Sequence, residues 1–489
     1  MFQHYDGLGF FNPYYNVRDN RLVIHTDFRN MAETVGICRL DGAALVEIFN
    51  TNHCFADRTP VEGIFRTPWM ARPNADNDGW EYAGVPGHGN TDVGTKTIAE
   101  TLFRLLQEEM LEYIGERKTV GILLSGGMDS RMVAGTLDHL ITTRQLSGVT
   151  VVALTWGNDN SRDAVYAGEI AKRLGWEWKH FPISAEDLLD NIRETAKRGC
   201  EYSPIHLHAM PRIRELEGLE CVLAGSFGDS IGRAEYSGSN VTALQPLDAD
   251  LKNRYHMFRR GFVRRYKEAC HDDLDHYHRR FPQPQAYQLH EQDQQLHYMR
   301  RLINACMGVI NEKIPLYQLF SKPSVFGYMW SLAPARRNNL VYQQMLRLFP
   351  RPLHDIPWSR TGLPFPDAEG TPDRLEKVHT HYGSLLNREI FDTVKALVLS
   401  DRVARLGVFN MDALETLMQC NRLFARQEKT WLDEKFLWIA SLSLFADLYP
   451  VEGIGEGTRT FGDLVDGKVK APAEFLCEKG ARFVKKRYR

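Results

Sequence analysis

Two short glycine-rich segments carry most of the chemistry legible in this chain of 489 residues. The first, Leu123-Leu124-Ser125-Gly126-Gly127-Met128-Asp129-Ser130, follows an apolar run and precedes a helix-forming one. Glycines let the backbone turn tightly, the Ser125 and Ser130 hydroxyls can donate, and a helix start offers free N–H groups. Together these suit the segment to hold phosphate. Asp129 alone would repel phosphate, so its presence calls for Mg2+, which carboxylate and phosphate oxygens bind together. The second segment, Gly225-Ser226-Phe227-Gly228-Asp229-Ser230, also follows an apolar run and adds a second acid, Asp229. Neither segment has the lysine-hydroxyl ending of a Walker loop or the spacing of Gly-x-Gly-x-x-Gly.

These turns need a frame that brings them together. Thr119–Leu124, Thr150–Thr155 and Glu220–Ala224 are short apolar runs of the kind found in strands buried on both faces. Helical spacing links Ile98, Leu102, Leu105, Leu106, Met110 and Tyr113, and helices are expected again at 130–140 and 163–174. Strands alternating with helices predict an α/β domain with a parallel sheet, whose ligands lie at the carboxyl ends of the strands. Segments 286–311, 336–349 and 408–447 carry helical periodicity, so the second half should be mainly helical. Residues 1–95 read as β-rich, with a strand at 21–26 and a short helix capped by Asp41.

The first glycine loop resembles the pyrophosphatase loop of the class B asparagine synthetase family, whose relatives include β-lactam synthetases and lasso-peptide cyclases. Thr155-Trp156-Gly157, Asp163-x-x-x-Ala167 with Leu174-Gly175, and the loop ending at Asp229-Ser230 follow that family's pattern. So, more loosely, do Glu312-Lys313-Ile314-Pro315 and Ile356-Pro357 with Arg360 and Gly362. The resemblance implies a PP-loop fold of the adenine nucleotide α-hydrolase type, with a helical C-terminal part and a small Ntn-like domain in front. It divides the chain into a degenerate glutaminase-like domain (1–95), an ATP-binding synthetase core (96–245) and a helical part (246–489).

By the same resemblance, Asp129 and Asp229 hold Mg2+ on ATP and the stretch from Ser125 to Ser130 cradles pyrophosphate. Gly225 and Gly228 shape the second loop, while Leu123 and Gly157 border the adenine. Arg360 stands for the family's late lysine, and Glu312, one place off the family's glutamate, is the remaining catalytic candidate. Tyr202, His206 and His208 fall where relatives approach the acyl substrate.

The chain also departs from the pattern. Residue 2 is Phe, which cannot serve as the N-terminal nucleophile of a glutaminase. Ser230 replaces a glutamate, and Ser226 stands where β-lactam synthetases carry a tyrosine. The expected function is therefore an ATP-dependent carbon–nitrogen ligase that adenylates a carboxylate, releases pyrophosphate and AMP, and passes the acyl group to ammonia or an amine. The alternatives are a lasso-type peptide cyclase and a non-catalytic nucleotide-binding protein.

Bulk properties agree with a soluble enzyme. The formal charge is −2 with 25% charged residues, which gives no reason to expect nucleic acid or membrane as partner. Eight scattered cysteines, without Cys-x-x-Cys spacing, and no export signal at Met1–Asp6 make the cytoplasm the expected location. The sequence does not fix the oligomeric state; a homodimer is allowed for.

Overall fold

The computed structural model describes residues 7–8, 12–236, 238–365, 369–455 and 459–487. Met1–Asp6, including Phe2, lie outside them. The chain opens with a small antiparallel sheet of β1 (Tyr14–Arg18), β2 (Arg21–His25) and β4 (Phe65–Arg66), in the order β2-β1-β4. Between them run α1 (Phe28–Val35), the short β3 (Cys38–Arg39) and α2 (Gly42–Thr51). Asp41 caps α2 by accepting from the Ala43 and Ala44 amides at 2.9 and 3.1 Å. The Asn/Gly-rich stretch beyond residue 70 contains a hairpin of β5 (Ala71–Pro73) and β6 (Trp80–Tyr82).

The central element is a five-stranded, wholly parallel sheet in the order β13-β10-β7-β8-β9. Its strands are β7 (Thr119–Leu123), β8 (Thr150–Trp156), β9 (Glu177–Phe181), β10 (Cys221–Ala224) and β13 (Leu316–Gln318). Between β10 and β13 comes a two-residue-per-strand hairpin, β11 (Glu235–Tyr236) with β12 (Ser239–Asn240). Helices α3 (Thr95–Ile114), α4 (Met128–Thr142), α5 (Arg162–Leu174), α6 (Ala185–Lys197) and α7 (Met210–Arg214) accompany the strands.

Alternate residues of one strand serve two different cores, which explains why these strands read as unbroken apolar runs. Val120, Ile122, Val151 and Ala153 join α3, α4 and α5 in one core. Leu123, Val152, Leu154 and Val222 face the other, which is built with α2, α6 and the helix Trp431–Leu448. The N-terminal segment belongs to that second core as well, and β3 pairs in parallel with Val451–Glu452 near the C-terminus.

Strand order locates the site. From β7 the chain steps outward through β8 and β9, then returns to lay β10 on the opposite side of β7. The loops after β7 and β10 therefore part from each other, and such a switch point opens a crevice at the carboxyl end of a parallel sheet. Both glycine-rich segments sit there.

The second half is helical, as periodicity predicts. Residues 286–307 are continuously helical with a π-type stretch at Gln294–Asn304, and Asn339–Leu346 forms a two-turn helix. The 408–447 run is two helices, Met411–Leu423 and Trp431–Leu448, because Thr430 caps a new start. No helix among the described residues is long and apolar enough to cross a membrane.

Candidate active site

The first loop is held in shape by its own serines. Ser130 Oγ accepts from the Ser125 amide and donates to the Ser125 carbonyl, both at 3.1 Å, while the Gly127 amide donates to Ser125 Oγ at 3.1 Å. Neither glycine adopts a left-handed backbone. Gly126 is instead required by packing: a Cβ there would lie 2.8 Å from the Arg162 carbonyl oxygen and 3.0 Å from Tyr166 Cβ, both on α5. Behind the loop, the buried Arg131 guanidinium donates to four carbonyls, those of Gly126, Leu353, Ile356 and Pro357, at 2.7–3.2 Å. With the Ser359 amide donating to Gly126 O at 3.1 Å, this straps segment 353–359 onto the loop and brings Trp358 and Arg360 beside it.

The two acids meet. Asp129 lies in the first turn of α4, and Gly228 is so close that a Cβ there would sit 2.7 Å from Asp129 Cβ and 3.0 Å from its Oδ1. Gly225 is equally confined, against the Asp129 carbonyl and Val133. Burial pushes the Asp229 carboxyl well above the usual carboxylate range; Asp129's charge adds to this, and a nearby Arg233 opposes it.

Arg233, buried four residues after Asp229, reaches both Asp129 oxygens at 3.2 Å with Nη2. Its Nη1 donates to Glu235 at 3.2 Å and to Asn339 at 3.1 Å, and its guanidinium lies over the Tyr342 and Trp358 rings. Arg360 binds the other oxygen of Glu235 and covers the opposite end of this group, 4.6 Å from the Trp358 ring centroid. Glu235 thus ties together the two arginines that flank Trp358.

The cavity in front of these residues has a volume of about 290 Å³ and is lined by Leu123, Ser125, Gly127, Asp129, Ser130, Gly225 and Asp229. A second space of about 170 Å³ shares Leu124, Ser125, Trp156 and His208 with it and is closed by Thr155, Asp163 and His379. His208 stacks on Trp156 and meets the Tyr382 hydroxyl at 2.6 Å through Nδ1. Burial pulls His206 down to about 3 and His208 well below its usual range, so both are neutral at physiological pH. A histidine held that low is a weak base and a better hydrogen-bonding wall.

Not every residue expected at the site is brought to it. Glu312 points elsewhere: it pairs with Arg198 and, at 2.5 Å, with Arg214, and it lines a separate cavity with Arg66 and Arg300. Asn311, the position that fits the family pattern, lines that same separate cavity, so the whole turn lies away from the two acids. Gly157 has a φ of +119°, and the His379 carbonyl oxygen lies 2.5 Å from where a Cβ would be, so only glycine fits there; the neighbouring Trp156 is the residue lining the cavity. Tyr202 is buried near Arg198. Conversely, sequence reading missed Arg131, Arg233, Trp156 and His379. For Trp156 alone a signal exists, since it stands beside Gly157 in the segment that follows the second strand.

The parallel sheet presents two glycine-rich turns with paired acids at its switch point. Residues 104–307 match the asparagine synthase family model, and the chain carries an asparagine synthetase-like domain. Over 126 residues it is 32% identical to glutamine-hydrolysing asparagine synthetase 1 of Arabidopsis thaliana, covering 23% of this chain and 20% of that protein. Over 138 residues it is 28% identical to a Methanocaldococcus jannaschii protein named "Putative asparagine synthetase [glutamine-hydrolyzing] 1", covering 27% and 24%. The matched stretch thus spans a quarter or less of these relatives' own length. A U34-tRNA thiolase from Methanococcus maripaludis, solved with its 4Fe-4S cluster, aligns over 47% of this chain and 88% of its own at 15% identity; its TM-score of 0.22 decides nothing.

Proposed function

We propose that this protein is an ATP-dependent ligase that joins a carboxylate to ammonia or an amine through an acyl-adenylate. The observation that carries this reading is the convergence of a pre-formed Ser/Gly loop with two carboxylates from adjacent strand ends. Asp129 and Asp229 suit Mg2+ only in part. Two facing carboxyls favour a cation, but Arg233 already supplies one to Asp129, and the described residues contain no cluster of three or more metal-ligating side chains. A site of this kind fits an ion that takes its other ligands from phosphate and water. When bound there, Mg2+ would neutralise charge on the leaving pyrophosphate.

The rest of the work falls to the protein. The free amides at the start of α4 and the Ser125 hydroxyl hold the phosphates in place, and the space by Trp156, His208 and His379 takes the base. A carboxylate oxygen attacks the α-phosphorus and the bond to the bridging oxygen breaks, so that pyrophosphate leaves. The amine then attacks the acyl carbon, AMP leaves with the electron pair of the cleaved C–O bond, and the amine nitrogen gives up a proton to solvent. Arg360, held by Glu235 beside Trp358, would meet pyrophosphate on exchanging Glu235 for phosphate, and electrostatic clamping of this kind carries much of the rate in phosphate-displacing sites.

The amine comes from outside the chain in this reading. Cys38 and Cys54, the cysteines of the N-terminal segment, are buried, and burial pushes both thiols upward, Cys38 to about 11. The fork of Arg233 on Asp129 is the observation favouring the rival, a nucleotide-binding protein without chemistry. Turnover with a cognate carboxylate and ammonia separates the two: AMP and pyrophosphate support the ligase, whereas ADP and phosphate overturn the adenylate step. Glutamine should not replace ammonia.

A further inference from the structure

We infer that the carboxylic acid activated here has an uncharged, largely apolar acyl group, unlike the acidic amino acids. This rests on the ligase reading above and deepens it. The cavity crosses the sheet edge in strand order. Its β8 end opens past Trp156 and His208 into the smaller space, and its middle holds the β7 loop with the two acids. With nucleotide in those two parts, the acyl group is left the third, beyond β10. Ser226, His206, Met210, Ile303, Cys306 and Met307 line that end.

Nothing among these side chains can neutralise a second carboxylate. Burial keeps the Cys306 thiol protonated and His206 neutral. Ser226 turns its hydroxyl proton onto Met307 Sδ at 3.0 Å, and Gln318 Nε2 donates to the same sulfur at 3.2 Å. The cations whose fields reach His206 and Cys306 are already engaged. Lys429 is bound to Glu434, Lys435 donates to the Ile48 carbonyl at 2.8 Å, and Arg198 is held by Glu194 and Glu312. A charged group buried without a partner is strongly disfavoured, whereas methylene or aromatic carbon suits a wall of Met, Ile and Cys. His206 Nε2 is buried without a hydrogen-bond partner, 3.7 Å from Glu434 Oε1, and that carboxylate adds to the penalty for a second anion at this end.

The test uses the full chain and two non-hydrolysable acyl-adenylate mimics, hexanoyl- and aspartyl-sulfamoyl adenosine, with binding followed by calorimetry. The hexanoyl compound should bind at least about thirtyfold more tightly, because the aspartyl group must desolvate charges that meet no partner. Aspartyl binding that equals or exceeds hexanoyl binding overturns the inference while leaving the adenylating function intact. Failure of both to bind a folded protein overturns the adenylate reading itself, and this inference with it. Met307→Lys, if folded, should narrow the preference at least about tenfold by supplying a cation. An unchanged ratio in a folded variant would mean that the acyl group does not lie beyond β10; if the variant does not fold, the comparison in the unaltered protein still decides.

Discussion

Replacing Arg233 with methionine removes the one cation among the described residues in contact with Asp129, while keeping much of the packing volume against Tyr342 and Trp358. Two carboxyls then face each other, with Glu235 also deprived of a partner. Removing one member of a buried pair costs roughly 3–5 kcal/mol. Asp129 keeps 26% of its side-chain surface in contact with solvent, so about 2–3 kcal/mol is the reasonable expectation near neutral pH. The pH dependence has a definite sign. Asp229 is already raised in the folded state, and losing Arg233 raises it further. A group raised on folding keeps the native state's extra proton at low pH and loses that stabilisation as pH rises through its folded value. The variant should therefore match the unaltered protein in acid, below the ordinary carboxylate range, and fall behind it progressively toward neutrality. Millimolar Mg2+ should restore much of the difference, because the acids have lost their competing cation. Differential scanning fluorimetry from about pH 3 to 8, with and without Mg2+, reads all of this. An equally stable variant, or a deficit that neither acid nor Mg2+ reduces, would refute the reasoning.

Other substitutions separate packing from chemistry. Gly126→Ala forces a Cβ against the α5 backbone, and should cost about 1–3 kcal/mol and weaken ATP binding at least tenfold by displacing the loop; unchanged binding by calorimetry would contradict the packing argument. Arg131→Met strips donors from four carbonyls and should lower stability by roughly 2–4 kcal/mol in denaturant titration, with segment 353–359 gaining hydrogen exchange. Arg360→Ala breaks an exposed pair worth about 0–1 kcal/mol and an exposed contact over Trp358 worth about 0.5–1 kcal/mol, so its melting temperature should change little while pyrophosphate release falls about tenfold or more. Equal release by that variant would remove Arg360 from the reaction.

Sequence reading succeeded where local pattern and tertiary role coincide. β7, β8 and β10 are apolar on both faces because each faces two cores, and Asp41 marks the start of α2 by filling its orphan amides. β9 escaped notice because it is an edge strand whose Glu177, Trp178 and Lys179 alternate without a continuous apolar run. β13 was missed for a different reason: three residues are too few to register a period. Within the site, the loop serines and both acids were legible from their types and spacing. The reason for Gly126 was not, since only the approach of α5 makes a side chain impossible there. Glu312 was assigned from a displaced pattern, and partners distant in sequence, Arg198 and Arg214, hold it elsewhere. Arg233 reaches across from the neighbouring strand's loop to Asp129, a contact that no local rule encodes.

Calorimetric titration of ATP in the presence of Mg2+, comparing the unaltered protein with Asp129→Ala, tests the nucleotide site most directly. Saturable one-to-one binding that requires Mg2+ and weakens at least tenfold in a variant that remains folded is the predicted result. Binding that is indifferent to both Mg2+ and Asp129, or no binding by the folded unaltered protein, would contradict an ATP site at this sheet edge.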